Sequence, residues 1–229
     1  MTIAENVARV REEIRLAAQR CGRNSEEITL VAASKMNDYA RVREAIEAGI
    51  TVCGENRVQE MTEKNAQRAY EGAHLHFIGR LQRNKVKQVV GVAELIHGVD
   101  TLALLQEIGR RAAERGIVQD VLLEVNIGWE KTKAGFAPED IPAVLESGET
   151  IPGIRIRGLM AIPPIVASEE EIFPYFSAMQ QLFVDNGRKK YDNSSMDFLS
   201  MGMSNDFQQA IACGSNMVRI GTRIFGPRS

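Results

Sequence analysis

The chain has 229 residues, 44% hydrophobic and 25% charged, with a formal net charge of −2. That balance belongs to a globular protein long enough to bury a large core, and it excludes a dedicated nucleic-acid binder. No apolar run is long enough to span a bilayer, the stretch Met1 to Arg20 lacks the apolar core of a signal peptide, and three scattered cysteines (Cys21, Cys53, Cys213) point to a reducing cytoplasm rather than a disulfide framework.

Ile3, Val7, Val10, Ile14 and Ala18 step by three and four, which predicts a helix over about 3–21. Strand-like runs follow at 28–35, 51–54, 74–79, 94–99, 120–126, 154–162, 197–203 and 217–221. Helix-like stretches separate them, each closed by a glycine: Gly22, Gly49, Gly72, Gly91, Gly116, Gly148, Gly187 and Gly214. Leu102, Leu105, Ile108 and Ala112 mark one helical face, and Ile172, Phe176, Met179 and Phe183 another. Asn56 with Gln59, Asp100 before Thr101, and Ser204 before Asn205-Asp206 are expected helix caps. Ser168 with Glu171 reads as a capping box, and Pro138 suits a first helical turn. Strands alternating with helices imply a parallel sheet. No glycine-rich turn follows the first strand, so a closed (β/α)8 TIM barrel is preferred over a doubly wound sheet. A single domain over 1–229 is expected, with the first helix capping or flanking the barrel.

Active sites of such barrels lie at the C-terminal strand ends. That rule gathers Lys35, Glu55, Asn56, Ile78, Gly79, Arg80, Asn126, Met160, Ser200 to Ser204, Gly221 and Thr222 at one mouth. Lys35 ends an interior strand among small residues. Desolvation there lowers an amine's pKa and equips it to attack a carbonyl; the plainer reading is a lysine snorkelling to water. Ser204, Gly221 and Thr222 offer small donors after the last two strands, where barrels often hold phosphate, although a capped helix and a turn would look the same. Arg219 alternates with Val218 and Ile220; if those two face the helices, it faces the barrel interior, where it needs an acceptor. Glu55, Glu124 or a cofactor atom could supply one. The basic stretch from Arg80 to Lys87 reads as a solvated face or a steering patch, and Lys131 and Lys133 are competing amines in a polar loop. His74 and His76 form a pair without an evident third ligand, so no metal site is expected.

Six motifs run in order nearly end to end: Leu-Val-Ala-Ala-Ser-Lys at 30–35, Gly-Glu-Asn-Arg-Val-Gln-Glu at 54–60, His-Phe-Ile-Gly-Arg-Leu-Gln-Arg-Asn-Lys at 76–85, Arg-Gly-Leu-Met-Ala-Ile-Pro at 157–163, Ser-Met-Gly-Met-Ser-Asn-Asp at 200–206 and Met-Val-Arg-Ile-Gly-Thr-Arg-Ile-Phe-Gly at 217–226. On these the chain resembles the pyridoxal phosphate homeostasis proteins, which share the barrel of the alanine racemase N-terminal domain. The resemblance implies a Schiff base between Lys35 and pyridoxal phosphate. It implies that Arg219 faces the pyridine nitrogen, that Ser204, Gly221 and Thr222 hold the phosphate, that Asn56 and Met160 line the ring pocket, and that Ser200 is among the cofactor-binding residues. Cys53 and Met36 depart from the family pattern without removing a cofactor contact.

An arginine at the ring nitrogen only donates, which leaves the ring a weak electron sink. Tyr39, Tyr70, Tyr175 and Tyr191 do not sit at predicted strand ends, and no second domain is expected to supply an acid. The expected function is cytoplasmic storage, buffering or delivery of pyridoxal phosphate, without strong catalysis and with apo-enzymes as recipients, by a monomer. A pyridoxal phosphate-dependent racemase is the alternative, and an aldolase-like Schiff-base enzyme the third reading.

Overall fold

The computed structural model describes residues 1–130, 134–164, 166 and 170–226. After helix α1 (Ile3–Arg20), the chain alternates β1 (Thr29–Ala33), α2 (Tyr39–Glu47), β2 (Val52–Glu55), α3 (Val58–Ala66), β3 (His74–Phe77), α4 (Val86–Val89) and β4 (Leu95–Val99). It continues through α5 (Leu102–Glu114), β5 (Gln119–Val125), α6 (Ile141–Gly148), β6 (Ile154–Ala161) and α7 (Phe173–Gly187). It ends with β7 (Ser194–Ser200), α8 (Phe207–Ala212), β8 (Met217–Ile220) and α9 (Thr222–Phe225). The strands pair in parallel, in chain order, and β8 closes onto β1, giving the (β/α)8 barrel that the alternation predicts.

Two apolar layers hold it. A large outer layer lies between strands and helices and includes Val218 and Ile220. A small inner layer, Val31, Val52, Leu95, Leu122, Met160 and Met217, fills the barrel itself. Alternation along β8 therefore turns Met217 and Arg219 inward while Val218 and Ile220 face the helices. Helix α1 buries Ile3, Val7, Val10, Ile14, Ala17 and Ala18 against α2, α8 and α9, so it flanks the barrel. Asn6 donates its amide to the Ile224 carbonyl at 3.0 Å and ties α1 to the end of the chain.

Local expectations fail where side chains have other work. Asn56 is not a cap: α3 starts after Arg57, which makes no side-chain cap bond. Thr101, rather than Asp100, caps α5, and Asp100 faces Arg80 at 3.4 Å. Asp206, not Ser204, precedes α8, and it accepts the Met203 N–H at 2.6 Å. Gly148 and Gly187 end their helices without the left-handed φ that the other six adopt. Ser168 lies outside the described residues, and α7 begins later, at Phe173.

The end of β1 is held by a buried charge cluster. Glu55 is fully buried, and its Oε1 accepts from Ser34 Oγ at 2.7 Å, Lys64 Nζ at 2.7 Å and Tyr70 OH at 3.0 Å. Lys64 Nζ also donates to the Ser34 carbonyl at 2.9 Å. That carbonyl is thereby taken from the ladder, so β1 stops at Ala33 and Lys35 sits in a turn rather than on the strand. The turn continues through Met36, whose φ is 61° and whose N–H donates to Glu60 Oε2 at 2.7 Å. Burial and the Glu55 charge both raise the Tyr70 pKa, so its hydroxyl stays a donor. Removing one partner of such a pair strands the other charge, at a cost of about 3–5 kcal/mol. Lys64→Met should therefore lower the urea-unfolding free energy by about 3 kcal/mol, and pairing it with Glu55→Met should recover part of the loss. A single-variant loss under about 1 kcal/mol, the range of an exposed pair, would show that the cluster is not the lock described.

Candidate functional site

A cavity of about 940 Å³ opens at the C-terminal ends of the strands. Lys35, Asn56, Met160, Ser204, Arg219, Gly221 and Thr222 all line it, brought together from the ends of β1, β2, β6, β7 and β8. Ile78, Gly79 and Arg80 after β3 line it too. A Cβ at Gly79 would stand 2.2 Å from the Asn56 carbonyl oxygen, so only glycine lets the loops after β2 and β3 close this side.

Other expected members lie elsewhere. Ser200 is fully buried and outside the lining; its Oγ accepts from Arg219 Nη1 at 2.6 Å. Glu55 points away into the lysine cluster, and Asn126 donates to the Glu130 carbonyl within its own loop. Lys131 and Lys133 lie outside the described residues. His74 is exposed and pairs with Glu94 at 2.7 Å, whereas His76 is buried against His97 at 3.1 Å. Among the described residues no three His, Cys, Asp or Glu side chains gather as metal ligands.

Arg219 dominates the electrostatics. It is 5% exposed and makes no ion pair with a carboxylate among the described residues. Its acceptors are Ser200 Oγ and the Ala161 carbonyl, the latter 3.1 Å from Nη2. Burial lowers its pKa to about 10 against the opposing pull of Glu124 and Asp206, so it stays charged at neutral pH. Two guanidinium hydrogens are thus engaged, and the remaining donors stand beside a cavity that Arg219 itself lines. Asn56 Oδ1 is buried with no partner.

Glu124 and Asp206 also line the cavity and escaped the sequence reading as site residues. Burial is the main cause that raises both pKa values, and the Asp100 charge pushes Glu124 further up. The signal for Glu124 was available: it sits among Val121, Leu123 and Val125 on β5, on the alternate face, as Arg219 does on β8. Ser204 Oγ accepts the Gly221 N–H at 3.3 Å and joins the loops after β7 and β8. Gly221 itself lies against β1, where a Cβ would come 3.2 Å from the Ala33 carbonyl oxygen.

Beneath the cavity His76 and His97 are held neutral. Burial, aided by neighbouring charge, lowers His76 to about 4 and His97 well below its ordinary value. An unfolded chain binds these protons near pH 6.5, so the stability that their burial contributes is complete above that pH and is lost as pH falls toward 4. For His76 this amounts to about 3 kcal/mol. The urea midpoint should fall through that window, and His76→Asn should flatten the slope; an unchanged slope would contradict a neutral buried imidazole.

Among the described residues no helix is long and apolar enough to cross a membrane. The family model described as alanine racemase, N-terminal domain, matches residues 6–229. The pyridoxal phosphate homeostasis protein of Aquifex aeolicus (strain VF5) is 43% identical over 228 residues, covering 100% of this chain and 99% of its own. That of Escherichia coli (strain K12) is 40% identical, covering 99% and 97%. PipY of Synechococcus elongatus PCC7942, solved with pyridoxal phosphate bound, superposes with a TM-score of 0.84 at 32% identity, covering 98% of this chain and 100% of PipY. With full-length identity at this level, and with the barrel that PipY shares, the chain belongs to the pyridoxal phosphate homeostasis protein family.

Proposed function

We propose that this chain binds pyridoxal phosphate in the barrel-mouth cavity, holds it reversibly on Lys35, and serves as an intracellular store or carrier of the cofactor rather than as a strong catalyst. The observation that carries this reading is a buried arginine without a carboxylate partner, lining the same cavity as a lysine amine and an unpartnered asparagine oxygen. The cofactor's groups match these needs: a ring nitrogen that accepts, a ring hydroxyl that donates, an aldehyde, and a phosphate. Arg219 would take the nitrogen, Asn56 the hydroxyl, Met160 the ring, and Ser204, Gly221 and Thr222 the phosphate. When bound, the cofactor supplies an aldehyde that condenses with the Lys35 amine, forming a C=N bond and releasing water, and water reverses the step.

The chain's own residues favour holding over turnover. Arg219 donates and keeps its proton at neutral pH, so it lends the ring nitrogen no formal positive charge. Tyr70 is committed to Glu55, and Tyr39 is exposed at the start of α2; among the described residues neither lines the cavity. Lys35 is half-buried, and the exposed Ile162, Met203 and Thr222 share its cavity, so water reaches the amine. Glu124 favours the second reading, a racemase: with its raised pKa it could place a proton in the cavity.

Protein incubated with pyridoxal phosphate should gain a visible absorption band that Lys35→Ala loses; a full band in Lys35→Ala would overturn the assignment of that lysine. Mixing loaded protein with an apo-enzyme separates the two modes of service. Activation faster than free-cofactor release indicates hand-over, and equal rates indicate buffering. Amino-acid racemisation abolished by both Lys35→Ala and Glu124→Gln would replace this reading with the enzymatic one.

A further inference from the structure

Arg219 does not stand alone inside the barrel. Its Nη1 donates to Ser200 Oγ at 2.6 Å, Ser200 Oγ lies 3.1 Å from His97 Nδ1, and His97 Nε2 lies 3.1 Å from His76 Nδ1. Ser200 and His97 are fully buried, and His76 is nearly so. The row runs from β8 to β7, across the barrel to β4, and on to β3. Its hydrogens have one arrangement that uses them all. Arginine can only donate, so Ser200 accepts from it. The serine hydroxyl then donates to His97 Nδ1, which leaves the His97 proton on Nε2, donating to His76 Nδ1. In the reverse arrangement His97 Nδ1–H would point at Ser200, whose own hydrogen would find no acceptor among the described residues. A buried hydroxyl hydrogen without an acceptor is costly.

We propose that Ser200 and His97 are positioning residues for Arg219: a one-directional hydrogen-bond row, ending on His76, fixes the guanidinium so that its remaining donors face the cavity. The proposal rests on the reading of that cavity as a pyridoxal phosphate site, and it assigns Ser200 a place behind the arginine instead of in direct contact with the cofactor. A hydroxyl-only donor and a neutral imidazole are what the position needs. A carboxylate would neutralise Arg219, and a charged histidine would repel it and lose its Nδ1 acceptor.

Two measurements test this. In the ligand-free protein, imidazole nitrogen chemical shifts should show His97 protonated at Nε2 and bare at Nδ1, with His76 bare at Nδ1. A His97 protonated at Nδ1 would overturn the row's direction. In titrations with pyridoxal phosphate, Ser200→Ala should bind about tenfold more weakly, the usual size of a lost bond to a charged group. The pH profile of the bound absorption band should shift with it, which a packing role would not produce. His97→Asn, which restores an acceptor where Nδ1 lies, should bind more tightly than His97→Leu. Wild-type affinity and an unshifted profile in Ser200→Ala would sink the proposal. If wild-type protein fails to bind the cofactor, the functional reading falls, while the shifts in ligand-free protein still judge the row by itself.

Discussion

The constraint on which the site depends is one uncompensated cation inside the barrel. A guanidinium that is 5% exposed and lacks a carboxylate partner would ordinarily be a severe defect. It is tolerated because a hydroxyl and a backbone carbonyl take part of its hydrogen-bonding capacity and a cavity takes the rest. Glu124 and Asp206 share that cavity but stand off, close enough to favour the charge and too far to pair with it. The barrel interior therefore mixes apolar Val52, Leu95, Leu122 and Met217 with the buried polar Ser200, His97 and His76. A carboxylate at bonding distance would make the fold safer and the cavity useless to an acceptor ligand.

A second buried charge cluster does a different job on the outside of β1 and β2. Glu55 Oε1 gathers Lys64, Tyr70 and Ser34 while its Oε2 stays without a partner, and Glu60 holds the following turn through the Met36 N–H. The turn carries Lys35, so the amine is presented by a backbone pinned from behind while its side chain remains half-exposed in front. A rigid anchor with a wet tip would suit the proposed task of Lys35, which is to meet a ligand in one orientation and let water undo the bond.

The fold was legible because its signals are local. Alternating strand and helix periods, counted to eight, favour a barrel, and alternation within β8 turns Arg219 inward once Val218 and Ile220 face the helices. Strand-end geometry likewise gathered Lys35, Asn56, Met160, Ser204, Gly221 and Thr222. What was not legible is competition among side chains distant in sequence. Lys64 takes the Ser34 carbonyl across 30 positions and ends β1 early. Arg219 takes the Ser200 hydroxyl across 19 positions and draws it out of the cavity wall. Asn56 and Ser204 look like caps because a polar residue after a strand suits either a helix start or a site, and only the third dimension decides. Glu124 was read only as a possible partner for Arg219 and not as part of the cavity wall, although the rule that turned Arg219 inward applies equally to it.

The pattern of protonation connects these parts. At neutral pH Arg219 is the permanent cation buried under the cavity, with Arg80 exposed at its edge facing Asp100, while the two imidazoles behind Arg219 are kept neutral by burial. An arginine keeps that charge across the whole physiological range, where a histidine in its place would titrate and a lysine would shift readily. Burial lowers His76 to about 4 and His97 well below its ordinary value, so neither imidazole adds a charge beside Arg219 at neutral pH. On the proposed reading, retention of the cofactor depends on the Lys35 amine and on the access of water to it. On that reading the two tasks fall to separate groups: Arg219 would orient the ligand, and Lys35 would capture and release it.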